Sequence, residues 1–369
     1  MTDDGATLTG EEIAVERAFG ATNRRRILAE YFAGAGEVTA VNAWQHVYRL
    51  LLWINPTISL AHCYESDKCQ PNKSWYARSL AFHAWVAQQL GVTPMELREE
   101  IDRLFREALP ALAHVELETR RAVAAKHLEP YGSDVMPLPG DDADLVEIIA
   151  AALGPAIVFD HLDSERTHTL VERVYTHFAL ENKRKNLLGR GFEDTLAAIV
   201  ERLPNHERWD VRTRLPLADI LGFAPQSPSL RGAEIDLALI ERDSPRRRIL
   251  VSAKWSVRAD RERQFDSDFD DYSKANNAGV FDYVLITNEF DAARVDAACT
   301  KVRGNQYLFS DVVHVQPDAV LVAYGKDADS TLELVAPGAR GRKARALRGH
   351  LGSGRLISLE QWLLKTLSL

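Results

Sequence analysis

The chain has few cysteines, no long apolar run and no excess of positive charge. Only Cys63, Cys69 and Cys299 occur in 369 residues, which excludes a disulfide framework and favours a reducing compartment. His62 and Cys63 with Cys69 amount to half a zinc site at most, because no second Cys/His pair follows, and buried thiols are the simpler interpretation. No apolar run approaches the roughly eighteen residues of a membrane span, and the acidic segment at residues 1–5 differs from a signal peptide. We therefore expect a cytoplasmic protein.

The charged residues are unevenly distributed along the chain. A formal net charge of -8 argues against a protein that coats nucleic acid indiscriminately, because non-specific affinity comes from many Lys and Arg contacts with phosphates. A local basic groove is still compatible with this charge. The basic clusters, each typical of a solvated face when taken alone, are Arg24–Arg26, Lys183–Lys185, Arg246–Arg248 and Arg340–Arg348. With 46% hydrophobic and 27% charged residues, the chain is expected to be globular and to bury a sizeable core.

The sequence falls into two regions with different hydrophobic patterns. From about Glu11 to His127, apolar residues recur every three or four positions, which predicts an all-helical N-terminal region. Pro, Gly and Asp then cluster between residues 129 and 142, a composition that predicts a loop or a domain boundary. We therefore predict a helical domain over 1–135 and a second domain over 136–369.

The second region alternates helices with short apolar runs. A helix is predicted from Glu193 to Arg202, and strands are predicted at Ile235–Ile240, Arg248–Ala253, Tyr283–Thr287 and Val320–Ala323. Several of these runs are too apolar to be half-exposed. The sequence therefore predicts an α/β domain whose central sheet is covered by helices.

Two of the predicted strands carry charged residues at their ends. Glu234 and Asp236 stand at the head of the first strand, and Lys254 ends the next, on the same face as Ser252 by the two-residue period of a strand. Carboxylates can hold Mg²⁺ through hard oxygen ligands, while a neighbouring ammonium orients an attacking water or steadies negative charge on phosphorus. The alternative interpretation is an ordinary hairpin closed by a salt bridge.

The residues around Lys254 carry a family resemblance. Ser252 lies two positions before the lysine, and Arg258, Asp260 and Arg261 follow it at four, six and seven positions. This pattern resembles the type II restriction endonucleases of the PD-(D/E)XK superfamily that cut CCGG and CCNGG sites. The resemblance implies a PD-(D/E)XK core, with a mixed central sheet flanked by helices, beside the N-terminal all-helical region.

The same resemblance assigns base reading to Arg258, Asp260 and Arg261. A guanidinium matches the O6 and N7 acceptors of guanine, and a carboxylate accepts a hydrogen bond from cytosine N4, so the three residues suit adjacent G·C pairs. The alternative is a surface ion pair between Asp260 and a neighbouring arginine.

Further site residues are implied by the family pattern. Where Ser replaces the usual acid, the family takes the missing metal ligand from a position fourteen residues after the lysine, which is Asp268 here. Asp270 and Asp271 are alternatives to Asp268, and Glu234 is an alternative to Asp236. A further carboxylate on an earlier helix corresponds to Glu193, although an acid is also favoured there by the helix dipole. Lys183 and Arg190 would then lie near a bound DNA backbone.

The resemblance thus implies a homodimeric, Mg²⁺-dependent type II restriction endonuclease acting on double-stranded DNA. Asp236, Glu193 and Asp268 would bind Mg²⁺, and Lys254 and Ser252 would complete the catalytic set at a G+C-rich palindrome containing CC/GG. A two-fold symmetric target suits a two-fold symmetric dimer, and the helical region would build that dimer, clasp the DNA or read outer bases. The alternatives are another PD-(D/E)XK nuclease of repair or defence, and an inactive nuclease-like DNA-binding protein.

Overall fold

The computed structural model of the chain describes residues 20–51, 74–91, 189–243, 247–257, 261–277, 279–324 and 339–367. The chain forms two compact units, one of residues 1–27 with 100–187 and one of residues 28–99 with 188–369. Nearly all of the described residues belong to the second unit. The predicted boundary between residues 135 and 136 lies outside the described residues, so the division at that point stays a prediction.

A mixed six-stranded sheet is the centre of the second unit. Its strands lie in the order β1-β2-β3-β4-β7-β8, where β1–β2 and β2–β3 are antiparallel and the remaining pairs are parallel. β5 and β6 form a separate two-stranded hairpin. The strands are β1 Trp209–Pro216, β2 Glu234–Glu241, β3 Arg248–Lys254, β4 Asp282–Thr287, β5 Val302–Arg303, β6 Gln306–Tyr307, β7 Asp311–His314 and β8 Leu356–Ser358.

Helices flank the sheet on the described part of the chain. They are α1 Ala21–Gly34, α2 Ala43–Leu51, α3 Ser74–Leu90, α4 over 189–200, α5 Pro228–Arg231, α6 Arg261–Ala275, α7 Ala292–Thr300, α8 Pro317–Ala323, α9 Ala339–Gly352 and α10 Leu359–Leu367. The predicted α/β class with a central sheet covered by helices is therefore confirmed. Membership of the PD-(D/E)XK superfamily stays a prediction. None of the described helices is long and apolar enough to cross a membrane.

Three of the four predicted strands are present. β2, β3 and β4 extend the predicted ranges by one or two residues, and the buried residues of β3 run from Arg248 to Ala253, as expected for a strand covered on both faces. The fourth prediction is wrong, because Val320–Ala323 lies in helix α8. Pro317 stands at the start of that helix, where its missing N–H costs nothing, and a short apolar run suits a buried helix as well as a buried strand.

Helices α2 and α3 belong to the same compact unit as the sheet. The predicted apolar stripe of α2 is buried, and the Tyr48 hydroxyl of that helix donates to Asn288 Oδ1 at 2.6 Å, just beyond β4. On α3, Phe82 and Val86 are buried. Phe82 packs on Phe290, with ring centroids 6.0 Å apart. These two helices therefore form part of the core around the carboxyl ends of the parallel strands.

Aromatic packing fixes two other helices beside the strands that carry the site. Phe192 of α4 packs edge-on against Trp255, which directly follows β3, with ring centroids 5.4 Å apart. On α6, Phe265 is 1% exposed and Tyr272 packs on Tyr283 of β4 at 5.6 Å. Acidic residues on α4 and α6 are thereby held near the ends of β2 and β3.

Candidate active site

Asp236 and Lys254 meet at the ends of two neighbouring antiparallel strands. The Lys254 ammonium donates to Asp236 Oδ2 at 2.6 Å, and the two side chains are each 20% exposed. The Ala253 N–H donates to the same oxygen at 2.9 Å, and Ser252 Oγ lies 3.5 Å from it. Among the described residues, all the hydrogen bonds that the Asp236 carboxylate accepts end on Oδ2. Its other oxygen, Oδ1, is therefore left for another ligand.

Glu193 is a second carboxylate of the same site. It lies on α4 and is 8% exposed. The pKa of its carboxyl is raised to about 7, first by burial and then by the negative charge of Asp236, whereas the charges of Arg214 and Lys254 act in the opposite direction. Glu193 is therefore within electrostatic range of both Asp236 and Lys254.

Arg214 of β1 joins this cluster, although no feature of the sequence pointed to it. Its Nη1 donates to Glu193 Oε2 at 2.6 Å, and its Nη2 donates to Asp194 Oδ1. Nη2 also lies 3.0 Å from Thr213 Oγ1. The guanidinium thus forms a bridge between two adjacent acids of helix α4.

The backbone of Arg214 has an unusual conformation. Its φ of 51° is in the left-handed region, which apart from Asn205 no other non-glycine residue of the described segments adopts. In the β1–β2 ladder Thr213 pairs with Leu237 and Leu215 pairs with Ile235, so Arg214 stands opposite Asp236. Such a conformation costs about 1–3 kcal/mol and persists only where the surroundings hold it in place.

Asp268 lies on α6, about one helical turn before Tyr272. Burial raises the pKa of the Tyr272 hydroxyl, and the charges of Asp268, Asp236 and Asp271 raise it further, so these carboxylates are within electrostatic range of this hydroxyl. Asp270, an alternative ligand from the sequence, is instead bound by Arg303, whose Nε donates to Oδ1 at 2.9 Å and whose Nη2 donates to Oδ2. Of these two acids, Asp268 is the better placed for the site.

The carboxylates are not gathered into a ready-made metal cluster. Across the ranges that the structure describes, no three Asp, Glu, His or Cys side chains are close enough together to hold a metal ion. Magnesium is often held in proteins by only one or two carboxylates, with waters and substrate phosphates as its other ligands. The Asp236 and Glu193 pair fits that type of site, because both offer hard oxygen ligands and their mutual repulsion would be relieved by a cation.

Several predicted site residues cannot be placed. Lys183, Arg258 and Asp260 lie outside the described residues. Arg261 begins α6, but its side chain is not described, and Arg190 is an exposed residue of α4. Their roles in DNA binding stay predictions.

Glu289 is a buried residue that the sequence analysis missed. Its side chain is fully buried, Oε2 accepts from the Val257 N–H at 2.8 Å, and Oε1 accepts from the Asp291 N–H at 2.8 Å. Burial raises the pKa of this carboxyl to about 7. The neighbouring Asn288 N–H donates to the Trp255 carbonyl at 3.2 Å. The residues that follow β3, up to Val257, are therefore anchored to Asn288 and Glu289, which follow β4. Arg258 is the next residue of the chain.

Comparison with known proteins adds one finding. No protein-family model and no curated protein matches the sequence. Among solved structures, a match is found to "Restriction endonuclease PspGI-substrate DNA complex", with a TM-score of 0.33 and 10% identity, covering 82% of this chain and 96% of that chain. A likeness of this degree carries no argument about function, which is therefore inferred from the residues of the site.

Proposed function

We propose that the chain is a Mg²⁺-dependent type II restriction endonuclease of the PD-(D/E)XK superfamily that acts on double-stranded DNA as a homodimer. The observation that carries the proposal is the 2.6 Å contact between Lys254 and Asp236, with the buried Glu193 carboxylate in electrostatic range. Two carboxylates beside a lysine suit metal-assisted hydrolysis of a phosphodiester. The sequence pattern from Ser252 to Arg261 supports a G+C-rich palindrome containing CC/GG as the target.

In this proposal Asp236 and Glu193 hold the Mg²⁺ ion. Asp268, which does not form a three-carboxylate cluster with them in the described structure, would have to approach them to become the third protein ligand. When bound, the ion supplies Lewis acidity at the scissile phosphate. The chain contributes a fixed ligand geometry, because the Lys254 ammonium, the Ala253 N–H and Ser252 all hold Asp236 through Oδ2. Oδ1 is thereby left for the ion.

Lys254 supplies positive charge where the reaction develops negative charge. Its ammonium is held by Asp236 but its side chain is 20% exposed, so water and a phosphate can reach it. A fixed ammonium beside the phosphate stabilises the charge that grows on the phosphate oxygens during the attack of water, and it also orients that water. Asp236 therefore acts both as a ligand and as the residue that positions Lys254.

DNA recognition is assigned to residues near the site. Arg258, Asp260 and Arg261, which follow the anchored end of β3, would read adjacent G·C pairs, and each good bidentate contact discriminates against a wrong base by about 1–3 kcal/mol. Lys183 and Arg190 would contact phosphates. The N-terminal helical region would build the dimer or clasp the duplex.

Digestion of unmodified plasmid DNA tests the proposal. With Mg²⁺ the purified chain should give discrete bands, and sequencing of the cut ends should place every cut at one G+C-rich palindrome. Lys254→Ala should abolish cleavage while specific binding in Ca²⁺ remains. Lys274→Ala is the matched control, because Lys274 is a lysine with a 72% exposed side chain, and among the described residues its ion pair is with its helix neighbour Asp271. Loss of both cleavage and binding in Lys254→Ala would contradict the separate roles proposed here.

A second candidate function is sequence-specific DNA binding by an inactive nuclease-like core. It is favoured by the lack of a three-ligand metal cluster among the described side chains. Specific binding without cleavage in Mg²⁺ or Mn²⁺ would support it. A smear of products would instead indicate a PD-(D/E)XK nuclease of repair or defence that lacks CC/GG specificity.

A further inference from the structure

The guanidinium of Arg214 binds a carboxylate that the proposed metal ion would also need as a ligand. Its guanidinium bridges Glu193 and Asp194, and the three side chains are only 22%, 10% and 10% exposed. The Oε2 atom of Glu193 that accepts from Nη1 belongs to the carboxylate assigned to the metal. The guanidinium therefore holds one of the two proposed metal ligands.

The left-handed backbone of Arg214 is part of the same arrangement. A residue in a regular antiparallel strand would be extended, but Arg214 has a φ of 51° at the position opposite Asp236. Its side chain reaches both acids of α4 from this backbone. Strained backbone that persists near a charged site is a recognised mark of functional constraint.

The charges of the site are unbalanced without a metal ion. Glu193, Asp194, Asp236 and Asp268 are four acids, and Arg214 and Lys254 are two cations, so a divalent ion would cancel the negative excess. A DNA phosphate then adds negative charge, which the guanidinium released from Glu193 offsets. An arginine fork released from a carboxylate matches phosphate oxygens, which it binds through two parallel hydrogen bonds.

We propose that Arg214 is a cation placeholder that couples metal binding to DNA binding. In the DNA-free protein its guanidinium neutralises Glu193 and weakens binding of the divalent ion. When DNA is present, the guanidinium turns to a backbone phosphate and leaves Glu193 to the ion. Because such coupling is reciprocal, DNA raises the affinity for the metal and the metal raises the affinity for DNA. This inference rests on the proposed function in taking Glu193 as a metal ligand.

The test measures Mn²⁺ binding by calorimetry to the full chain without DNA. Arg214→Asn removes the charge but keeps a residue that tolerates the left-handed backbone. It should bind Mn²⁺ roughly 5- to 150-fold more tightly than the wild type, the usual range of coupling between sites. Arg212→Asn is the matched control, since Arg212 lies on the same strand, is 60% exposed and pairs with Asp210, and it should leave Mn²⁺ affinity unchanged.

A second titration uses Ca²⁺ with and without a short duplex containing CCGG. The duplex should raise the Ca²⁺ affinity of the wild type and of Arg212→Asn, and it should raise that of Arg214→Asn much less. If Arg214→Asn does not fold, as judged by circular dichroism, Arg214→Lys replaces it. Lysine keeps the charge but loses the fork, so a smaller gain in Mn²⁺ affinity without DNA is expected.

The outcomes separate this inference from the proposed function. Equal or weaker Mn²⁺ binding by the Arg214 variant overturns the placeholder role, while a wild type that binds the ion still fits the nuclease. A wild type that binds neither Mn²⁺ nor Ca²⁺, with or without DNA, overturns the metal site and the inference together.

Discussion

Replacement of Glu289 by glutamine should change how the stability of the protein depends on pH. Glu289 is fully buried, and its two oxygens accept from the Val257 and Asp291 N–H groups. Glutamine has nearly the same shape, but it cannot ionise and its NH₂ group cannot accept a hydrogen bond. One of the two N–H groups therefore loses its acceptor, which costs about 1–3 kcal/mol at every pH.

The titration of Glu289 makes the free energy of unfolding depend on pH. Burial raises the pKa of this carboxyl from 4.5 in the unfolded chain to about 7 in the folded protein. The folded state therefore holds the proton more tightly than the unfolded state. This contribution to stability is fully present below pH 4.5 and is lost as the pH rises to about 7. At 1.36 kcal/mol per pH unit the loss amounts to about 3 kcal/mol in the wild type and is absent in Glu289→Gln.

The neighbouring charged groups are the same in both proteins. Burial lowers the pKa of His314 to about 4, so its contribution to stability has the opposite sign and increases as the pH rises from about 4 to 6.5. His314, Asp291 and Arg294 lie around Glu289, and their direct effects cancel when the variant is subtracted from the wild type. The variant should be less stable than the wild type at pH 5, and by pH 8 the difference should have moved by about 2.5 kcal/mol in its favour.

Urea denaturation followed by tryptophan fluorescence measures this difference. All seven tryptophans belong to the compact unit that contains Glu289, so the signal reports on that unit. Glu207→Gln is the control, because the Glu207 side chain is 76% exposed and its replacement should give a curve parallel to the wild type. A constant difference between Glu289→Gln and wild type from pH 5 to pH 8 would refute the reasoning.

Two further substitutions test the packing around the site by urea denaturation. Tyr48→Phe removes the buried hydroxyl that donates to Asn288 at 2.6 Å, so the free energy of unfolding should fall by about 1–3 kcal/mol; an unchanged value would show that water replaces the hydroxyl. Phe265→Ala empties the space between α6 and Phe309 and should cost about 3–5 kcal/mol. A much smaller loss would mean that α6 closes over the cavity.

The strands that carry the candidate site could be predicted because their signal is local. The apolar runs of β2 and β3 are nearly continuous, and the acid and the lysine stand at their ends, so the contact between Asp236 and Lys254 follows from pairing the two strands. β1 was not predicted, although its sequence WDVRTRLP alternates apolar residues with charged ones, which is the pattern of a half-exposed strand and not that of the continuous apolar runs on which the strand predictions relied. At Val320 the apolar run was compatible with two structures, and only the proline before it favours a helix.

The residues that the sequence did not reveal depend on distant partners. Arg214 binds Glu193, which lies 21 positions earlier, and Glu289 holds Val257, which lies 32 positions earlier. No local pattern marks an arginine that will bridge two acids, or a glutamate that will be buried with two backbone donors. Such roles appear only when packing of the sheet brings the segments together.

The left-handed backbone at Arg214 also bears on solubility. Within the described residues β1 has a partner strand on one side only, so its other side is an open edge to which a strand of another molecule could add. The bend at Arg214 and the missing N–H of Pro216 interrupt that edge, and only Trp209–Thr213 remain as a regular template. Arg214, which we propose as a charge-balancing residue of the site, would therefore also limit the pairing of this edge with another molecule.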